Sequence, residues 1–310
     1  MKLGISIYCL DRAMAAGMSV YEAMDFAKEN GAAHIELVPF HLPLVDEKEG
    51  KVNEDLCRRV REHAEKIGLE ISAYSVNADL LDPDPAAYEK ELQRVKLHID
   101  AAQLLKLHVM RHDVAGFRRP FRELTVENFE RDFPRMVDAV RRLYDYAAEK
   151  GITTTLENHG FYVNGSDRLI RLIQAADRPG LGMTLDVGNF LCVDEYSLGA
   201  VKKCLPYAKT IHLKDFYVRE MEALPGQNEM FNCDNGSWFE TLGGMLLRGA
   251  VLGQGDLPVR KIVREIAASG FDGPVSIEFE GMEPPERATK ICLQMARAFF
   301  KEAGVCFPET

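Results

Sequence analysis

Eight short β-rich runs alternate with stretches of helical spacing along the whole chain. The β-rich runs lie at 3–8, 33–38, 69–76, 106–110, 152–157, 181–187, 209–214 and 274–279. The helical stretches lie at 19–30, 53–67, 85–104, 125–150, 166–177, 196–206, 258–269 and about 284–303. Strict alternation of this kind calls for a parallel sheet covered by helices. Eight repeats predict the α/β class and a single (β/α)8 TIM barrel domain over residues 1–310.

One stretch interrupts the alternation. Residues 217–256, after the seventh strand, are rich in Gly, Asn and Met. They are too many for an ordinary connection, which usually has about 2–6 residues. We predict an insertion here that forms a partly ordered lid or a partner-binding segment.

Charge and cysteine usage restrict the possible partners. The formal net charge is −10 and the isoelectric point is about 5.4, which opposes binding to a phosphate backbone, so we expect no nucleic acid partner. The sequence has neither a secretory signal pattern nor an apolar run of the roughly 18 residues that a membrane span needs. Seven scattered cysteines without CxxC spacing indicate reduced thiols. Together these features predict a cytoplasmic protein that does not contact a membrane.

Alternate residues of a strand face opposite sides of the sheet, and each predicted strand has one apolar and one polar face. Glu157 shares its face with two threonines of the fifth strand, and Asp186 and His212 occupy the polar faces of the next two strands. In a closed barrel the apolar faces pack on the helices, so the polar faces point to the axis. Unpaired buried ionisable groups cost several kcal/mol each, so this axis needs a compensating cation.

Four residues at or near the ends of consecutive strands are of ligand type: Glu157, Asp186, His212 and Glu278. TIM barrels place their active sites at these strand ends. Any one of them alone is better explained as a satisfied polar group lining the barrel, but four together favour a site. Three carboxylates and one imidazole suit one divalent ion, manganese first, with cobalt, magnesium or zinc as alternatives.

The segments that carry these residues are TTTLENHG, MTLDVGNF, TIHLKDF, and GQGDLPVRKIV followed by GFDGPVSIEFEG, with HIELVPF at the second strand. In order and spacing the chain resembles the xylose-isomerase-like barrel superfamily, which includes sugar phosphate isomerases and epimerases and proteins of the AP-endonuclease type. The resemblance implies that Glu157, Asp186, His212 and Glu278 bind metal. It also implies that the two glutamates exchange protons with the substrate.

The expected chemistry is proton transfer on a sugar or keto-sugar. A divalent cation stabilises the enediolate of a bound carbonyl and its neighbouring hydroxyl, so an adjacent base can remove a proton from carbon. Glu157 and Glu278 are the first candidates for that base. His159 shares the parity of Glu157 and is a candidate acid or base, or alternatively a hydrogen-bonding support for a ligand. We therefore predict an isomerase- or epimerase-like enzyme.

Four further residues are predicted to bind substrate, each with an open alternative. His112 either reaches the barrel mouth or is a satisfied interior histidine. Lys214 contacts a substrate hydroxyl or pairs with a carboxylate. Glu36 binds substrate or neutralises Arg111, and Arg219 recognises an anionic group or is solvated.

Three other functions compete with isomerisation. ENHG and RHD resemble the catalytic subunit of C-glycoside deglycosidases, in which removal of a proton from a keto-sugar expels an aglycone by β-elimination. That branch implies a hetero-oligomer with a small partner subunit; a homo-oligomer is the alternative. A non-catalytic sugar-binding barrel remains open. An AP endonuclease is disfavoured, because Asn189 stands where a further histidine ligand is expected and AYSVNAD also lacks a histidine.

Overall fold

The computed structural model describes residues 1–117, 119–220 and 237–307. Eight strands close into a parallel barrel, in which each strand pairs with its neighbours in chain order and the first pairs with the eighth. The predicted TIM barrel is therefore confirmed. The strands are β1 (Lys2–Ser6), β2 (His34–Leu37), β3 (Glu70–Val76), β4 (Val109–His112), β5 (Thr153–Glu157), β6 (Gly182–Asp186), β7 (Ala208–Leu213) and β8 (Pro274–Ile277).

Helices surround this barrel. Ser19 begins the first long one with a reciprocal capping box to Glu22, and Gly68 ends the second in the left-handed conformation, with φ 64°. The long helices are Val20–Glu29, Glu54–Ile67, Pro85–Leu104, Val126–Ala148, Ser166–Ala176, Ser197–Cys204, Val259–Ala268 and Pro285–Glu302. Shorter elements are the α-helix Asp11–Ala15 and the 3-10 helices Ile7–Leu10, Phe121–Glu123, Asn189–Val193 and Leu205–Tyr207.

The two faces of the strands differ as their parity predicts. Leu185 and Ile211 are fully buried in the apolar core. On the opposite face, the hydroxyl of Thr184 lies 2.8 Å from those of Thr155 and Thr210. This row of hydroxyls on three neighbouring strands satisfies the barrel interior next to Glu157 and Asp186, which end their strands two residues later.

The fourth strand lies later in the chain than the sequence pattern indicates. The pattern places it at 106–110, whereas β4 covers Val109–His112. The preceding helix ends at a left-handed turn at Lys106, with φ 59°, where the N–H of Leu107 donates to Ala102. The connection therefore extends to residue 108, and Arg111 is the β4 residue that faces the interior.

The described part of the insertion forms a three-stranded antiparallel sheet. Its strands are Asp215–Glu220, Phe239–Glu240 and Met245–Ala250. Residues 221–236 of the predicted lid lie outside the described residues, so its action as a lid stays a prediction. Asp215 accepts the N–H groups of Gly253 (2.8 Å), Gly255 (3.0 Å) and Leu257 (3.2 Å), which joins the two ends of the insertion at the turn GQGDL.

Two global features complete the fold. Within the ranges described above, no helix is both long and apolar enough to cross a membrane. The described cysteines carry free thiols, five of them buried and Cys306 exposed. Cys233 lies outside the described residues. A small antiparallel hairpin, Val45–Asp46 with Lys51–Val52, follows β2.

Candidate metal centre and active site

The four predicted ligands converge at the C-terminal ends of the strands. Their ligand atoms all lie within 4.8 Å of one another. Nδ1 of His212 is 3.5 Å from Oε1 of Glu157, 3.6 Å from Oε1 of Glu278 and 3.8 Å from Oδ2 of Asp186. Three carboxylate oxygens therefore surround one imidazole nitrogen.

The unsatisfied atoms of this cluster are those that face its centre. Nδ1 of His212 and Oδ2 of Asp186 are buried and have no hydrogen bond within the described residues, although the ammonium of Lys214 is 3.4 Å from that oxygen. The other oxygen of Asp186 accepts the N–H groups of Gly188 (2.7 Å) and Asn189 (2.8 Å). Buried polar atoms without partners are costly, and an O3N set of this kind fits a divalent cation.

The electrostatics also indicate missing positive charge. Burial raises the pKa of Asp186; Lys214 opposes this, and the charges of Glu278 and Glu157 add to it. Burial lowers the pKa of Lys214, but Asp186, Glu278 and Glu280 outweigh burial and raise it well above its usual value. Lys214 therefore stays charged and balances only part of the carboxylate charge. A divalent cation would supply the rest.

Glu36 lies beneath His212 and orients it. It is 1% exposed and accepts hydrogen bonds from Nε2 of His212 (2.8 Å), Ser75 (2.5 Å) and Ser276 (3.0 Å). A carboxylate that takes Nε2–H leaves the lone pair of Nδ1 for a metal. Glu36 does not line the cavity, so the predicted substrate contact is corrected; it forms no direct ion pair with Arg111 in the part of the chain that the structure describes, although its charge is one of those that raise the pKa of Arg111.

The side chain of Lys214 packs against Gly188 and places its ammonium among the carboxylates of the cluster. Its Nζ lies 2.7 Å from Oε2 of Glu278 and 3.5 Å from Oε1 of Glu280, so it pairs with carboxylates, as one of the two predictions stated. Its stem passes so close to Gly188 that a Cβ there would lie 2.5 Å from Cγ of Lys214. The glycine of MTLDVGNF thus leaves room for the aliphatic stem of Lys214, which carries the ammonium to the cluster.

A cavity of about 310 Å³ opens beside the cluster, a volume suited to a small molecule. Glu157, His159, Lys214 and Glu278 belong to its polar wall. Four aromatic residues also line it: Tyr8, Phe40, Phe117 and Phe239. The cavity thus offers both hydrogen-bonding groups and apolar rings to a ligand.

His159 is paired with a carboxylate that the sequence did not single out. Its Nδ1 lies 3.0 Å from Oδ2 of Asp113. Arg111 connects this pair to the metal cluster, because Nη2 is 2.8 Å from Oδ1 of Asp113 and Nε is 2.6 Å from Oε2 of Glu157. Burial lowers the pKa of His159, but the charge of Asp113 outweighs this, and the pKa is raised.

Two predicted substrate-binding residues lie away from the cavity. His112 is fully buried on the outer face of β4, and its Nδ1 is 2.9 Å from the carbonyl of Asp113; burial lowers its pKa to about 4. Arg219 lies on an exposed strand of the insertion and pairs with Asp256 at 2.9 Å. The substrate contacts predicted for both residues are corrected: His112 shares the face of β4 that carries the buried core residue Met110, and Arg219 is an exposed arginine, as its alternative prediction stated.

Other cavity residues escaped the sequence analysis. Tyr8, Asn77 and Glu280 line the cavity but lie beyond the ends of β1, β3 and β8, with Tyr8 in the 3-10 helix Ile7–Leu10, so strand parity does not predict them directly. Glu280 alone gave a usable signal, since it shares the parity of Glu278 two residues earlier.

Comparisons with known proteins agree with this arrangement. Inosose dehydratase of Geobacillus thermodenitrificans (strain NG80-2) is 23% identical over 152 residues, which are 49% of this chain and 48% of that protein. The structure of the IOLI protein with a bound zinc atom has a TM-score of 0.72 at 15% identity, covering 97% of this chain and 99% of that one. D-allulose 3-epimerase from Methylomonas sp. gives 0.69 at 14% identity, covering 96% and 98%.

At these identities the solved structures show a shared fold. The family model described as xylose isomerase-like TIM barrel matches residues 24–299, which include all four residues of the cluster and most of the barrel. The chain therefore belongs to the xylose isomerase-like TIM barrel family.

Proposed function

We propose that this protein is a divalent-metal-dependent enzyme that moves a proton on the carbon beside the carbonyl of a sugar or keto-sugar, in the manner of an isomerase or epimerase. The observation that carries the proposal is the convergence of Glu157, Asp186, His212 and Glu278 beside a cavity of about 310 Å³, with the buried atoms Nδ1 of His212 and Oδ2 of Asp186 left without hydrogen bonds among the described residues.

The four side chains would hold one divalent ion, with manganese as the first candidate and zinc, cobalt or magnesium as alternatives. The bound zinc of the IOLI protein supports a metal in this fold. When bound, the ion would stabilise the negative charge that develops on substrate oxygens as a proton leaves carbon.

The two glutamates are the proposed bases. Nζ of Lys214 lies 2.7 Å from Glu278, and Nε of Arg111 lies 2.6 Å from Glu157. Burial raises the pKa of Glu278, but Lys214 and His212 outweigh burial and hold it well below its usual value, so this carboxylate is ionised at neutral pH, the form in which a base must start. Because β6 and β7 separate their strands, the glutamates reach the centre from two sides, which suits removal and return of a proton on opposite faces of a sugar carbon.

A second candidate function, β-elimination, is favoured by the pair of His159 and Asp113. The imidazole is a proton donor that is separate from both glutamates and lines the same cavity. After proton removal beside the carbonyl, the carbon–leaving-group bond breaks and His159 protonates the departing group. The relative that dehydrates inosose supports loss of water, and a C-glycoside deglycosidase would instead release an aglycone, with a small partner subunit.

Metal content and isotope exchange test the proposal together. Protein purified without chelator is analysed for divalent ions, loaded with Mn²⁺ and incubated in D₂O with D-fructose, D-allulose and methyl 3-keto-β-D-glucoside. We expect deuterium beside the carbonyl of at least one probe, and loss of exchange with EDTA. An epimer identifies isomerisation, whereas released methanol identifies elimination.

Matched variants connect the exchange to the cluster. Glu157→Gln and Glu278→Gln should each lower the rate by at least about 100-fold, as removal of a general base does. Glu70→Gln, an exposed carboxylate on β3 that pairs with Lys2, should retain wild-type exchange. A protein that binds no divalent ion, gains no thermal stability from one and exchanges no probe would be a non-catalytic sugar-binding barrel.

A further inference from the structure

The ring of His159 is confined, yet it remains part of the cavity wall. It lies two residues after β5, and the ring of Phe117 packs 4.9 Å from it. The chain turns at Gly160, with φ 68°, where a Cβ would lie 3.3 Å from the ring of Phe117. The side chain of His159 is 23% exposed, so a ligand in the cavity can reach it.

Asp113 holds one edge of this ring and is itself tightly held. Its Oδ2 lies 3.0 Å from Nδ1 of His159, and its Oδ1 lies 2.8 Å from Nη2 of Arg111. The N–H of Asp113 donates to the carbonyl of Val76 at 3.2 Å. The side chains of both Asp113 and Arg111 are 5% exposed. The backbone of Asp113 is therefore anchored to β3, and its buried carboxylate is held by Arg111 on the side away from the imidazole's contact.

The contact between Asp113 and Nδ1 determines which ring nitrogen of His159 can transfer a proton. A carboxylate on Nδ1 keeps a proton there and leaves Nε2 as the atom that gives or takes one. In the described part of the chain, nothing hydrogen-bonds Nε2 of His159. In this arrangement Nδ1 of the ring is held by the carboxylate, and Nε2 is left to exchange a proton.

We propose that Asp113 is a positioning residue, which fixes His159 so that Nε2 exchanges the proton with substrate. The inference rests on the proposed function, in which His159 transfers a proton. The competing explanation is structural: Asp113 would only balance the buried guanidinium of Arg111, which also contacts Glu157. The two explanations differ, because a purely structural aspartate would act through Glu157 and metal binding.

The experiment uses the holoprotein of Asp113→Asn and Asp113→Glu. The glutamate variant keeps the charge beside Arg111 and so folds even where the amide does not. Asp25→Asn is the control, since Asp25 also pairs with a histidine, at 2.7 Å from Nε2 of His63, but lies outside the cavity. We measure Mn²⁺ affinity, kcat and KM for deuterium exchange with D-allulose and methyl 3-keto-β-D-glucoside, and the Nδ1 proton resonance of His159 in Mg²⁺-loaded protein, assigned with His159→Gln.

Positioning predicts that kcat falls by about 100-fold or more in both variants, while KM and Mn²⁺ affinity stay within about threefold of wild type. The downfield Nδ1 resonance should be lost or shifted in Asp113→Asn and unchanged in Asp25→Asn. Unchanged kcat, or Mn²⁺ affinity that falls in parallel with kcat, overturns the inference. If wild-type protein exchanges neither probe, the proposed function fails, and the resonance alone then decides: an unperturbed signal in Asp113→Asn refutes positioning.

Discussion

Replacement of Glu36 tests whether the residue beneath His212 prepares it for metal. Its carboxylate accepts three hydrogen bonds, one of them from Nε2 of His212 at 2.8 Å. In Glu36→Gln the amide oxygen can still accept from His212, and its NH₂ group can donate to the hydroxyl of Ser75. The number of hydrogen bonds is kept, and only the charge is lost.

The magnitude follows from that difference. A hydrogen bond to a charged group contributes about 1.5–3 kcal/mol and a neutral one about 0.5–1.5 kcal/mol. The loss of about 1–1.5 kcal/mol corresponds to roughly tenfold weaker metal binding. Glu36→Ala also leaves Nε2–H of His212 unpaired and frees the ring to turn, so we expect a loss near 100-fold, the upper end for an outer partner of a metal ligand.

Titration of Mn²⁺ against a competing chelator measures both variants. All variants are titrated at one fixed pH, because protons compete with the metal for Nδ1 of His212. Burial lowers the pKa of His212, but the charges of Glu36, Glu278 and Glu157 outweigh burial and hold it well above its usual value. Glu70→Gln serves as the control, because this carboxylate is exposed and pairs with Lys2. Wild-type affinity in Glu36→Ala, or an equal loss in Glu70→Gln, would refute the reasoning.

Three further outcomes are expected. Gly188→Ala pushes a Cβ against Lys214 and should lower the free energy of unfolding, measured by denaturant titration, by about 1–3 kcal/mol. In the control Gly199→Ala, which lies in a helix, the new Cβ has its nearest neighbour 3.9 Å away. The free energy of unfolding of that variant should be unchanged or rise by up to about 1 kcal/mol. Asp215→Ala unpairs the turn 253–257 and should cost about 1–3 kcal/mol, with faster hydrogen exchange there by mass spectrometry. Mn²⁺ at 100 times its Kd should stabilise the fold by about 2.7 kcal/mol; an equal gain in thermal scans of Glu157→Gln would argue against the cluster.

Strand parity predicts the metal cluster well, because its four residues end their strands or lie next to the ends and alternate regularly with apolar neighbours. Parity gives the face of the sheet on which a residue lies but not its depth along the barrel axis. This explains why the sequence pattern wrongly predicts a substrate contact for Glu36. It lies on the interior face, as expected, yet one layer below the cavity, where His212 covers it. Only the stagger of neighbouring strands in the closed barrel determines that depth.

The error at β4 has a different origin. Met110 and His112 share a face, and fully buried Met110 belongs to the apolar core, so the polar side chain of His112 was a misleading guide. Arg111 pairs with Glu157 of β5, and Asp113 pairs with His159, which follows β5; the local sequence pattern contains neither contact. Contacts between loops after different strands are set by barrel closure, and the sequence alone does not show them.

The carboxylate of Asp215 closes the insertion at its root, where the chain leaves β7 and returns through GQGDL. Because this contact joins the two ends of the insertion, the length and composition of the insertion can change while the strands on either side keep their register. Phe239, carried on this insertion, reaches the cavity. Changes within the insertion can therefore alter the lining of the cavity while Glu157, Asp186, His212 and Glu278 keep their positions.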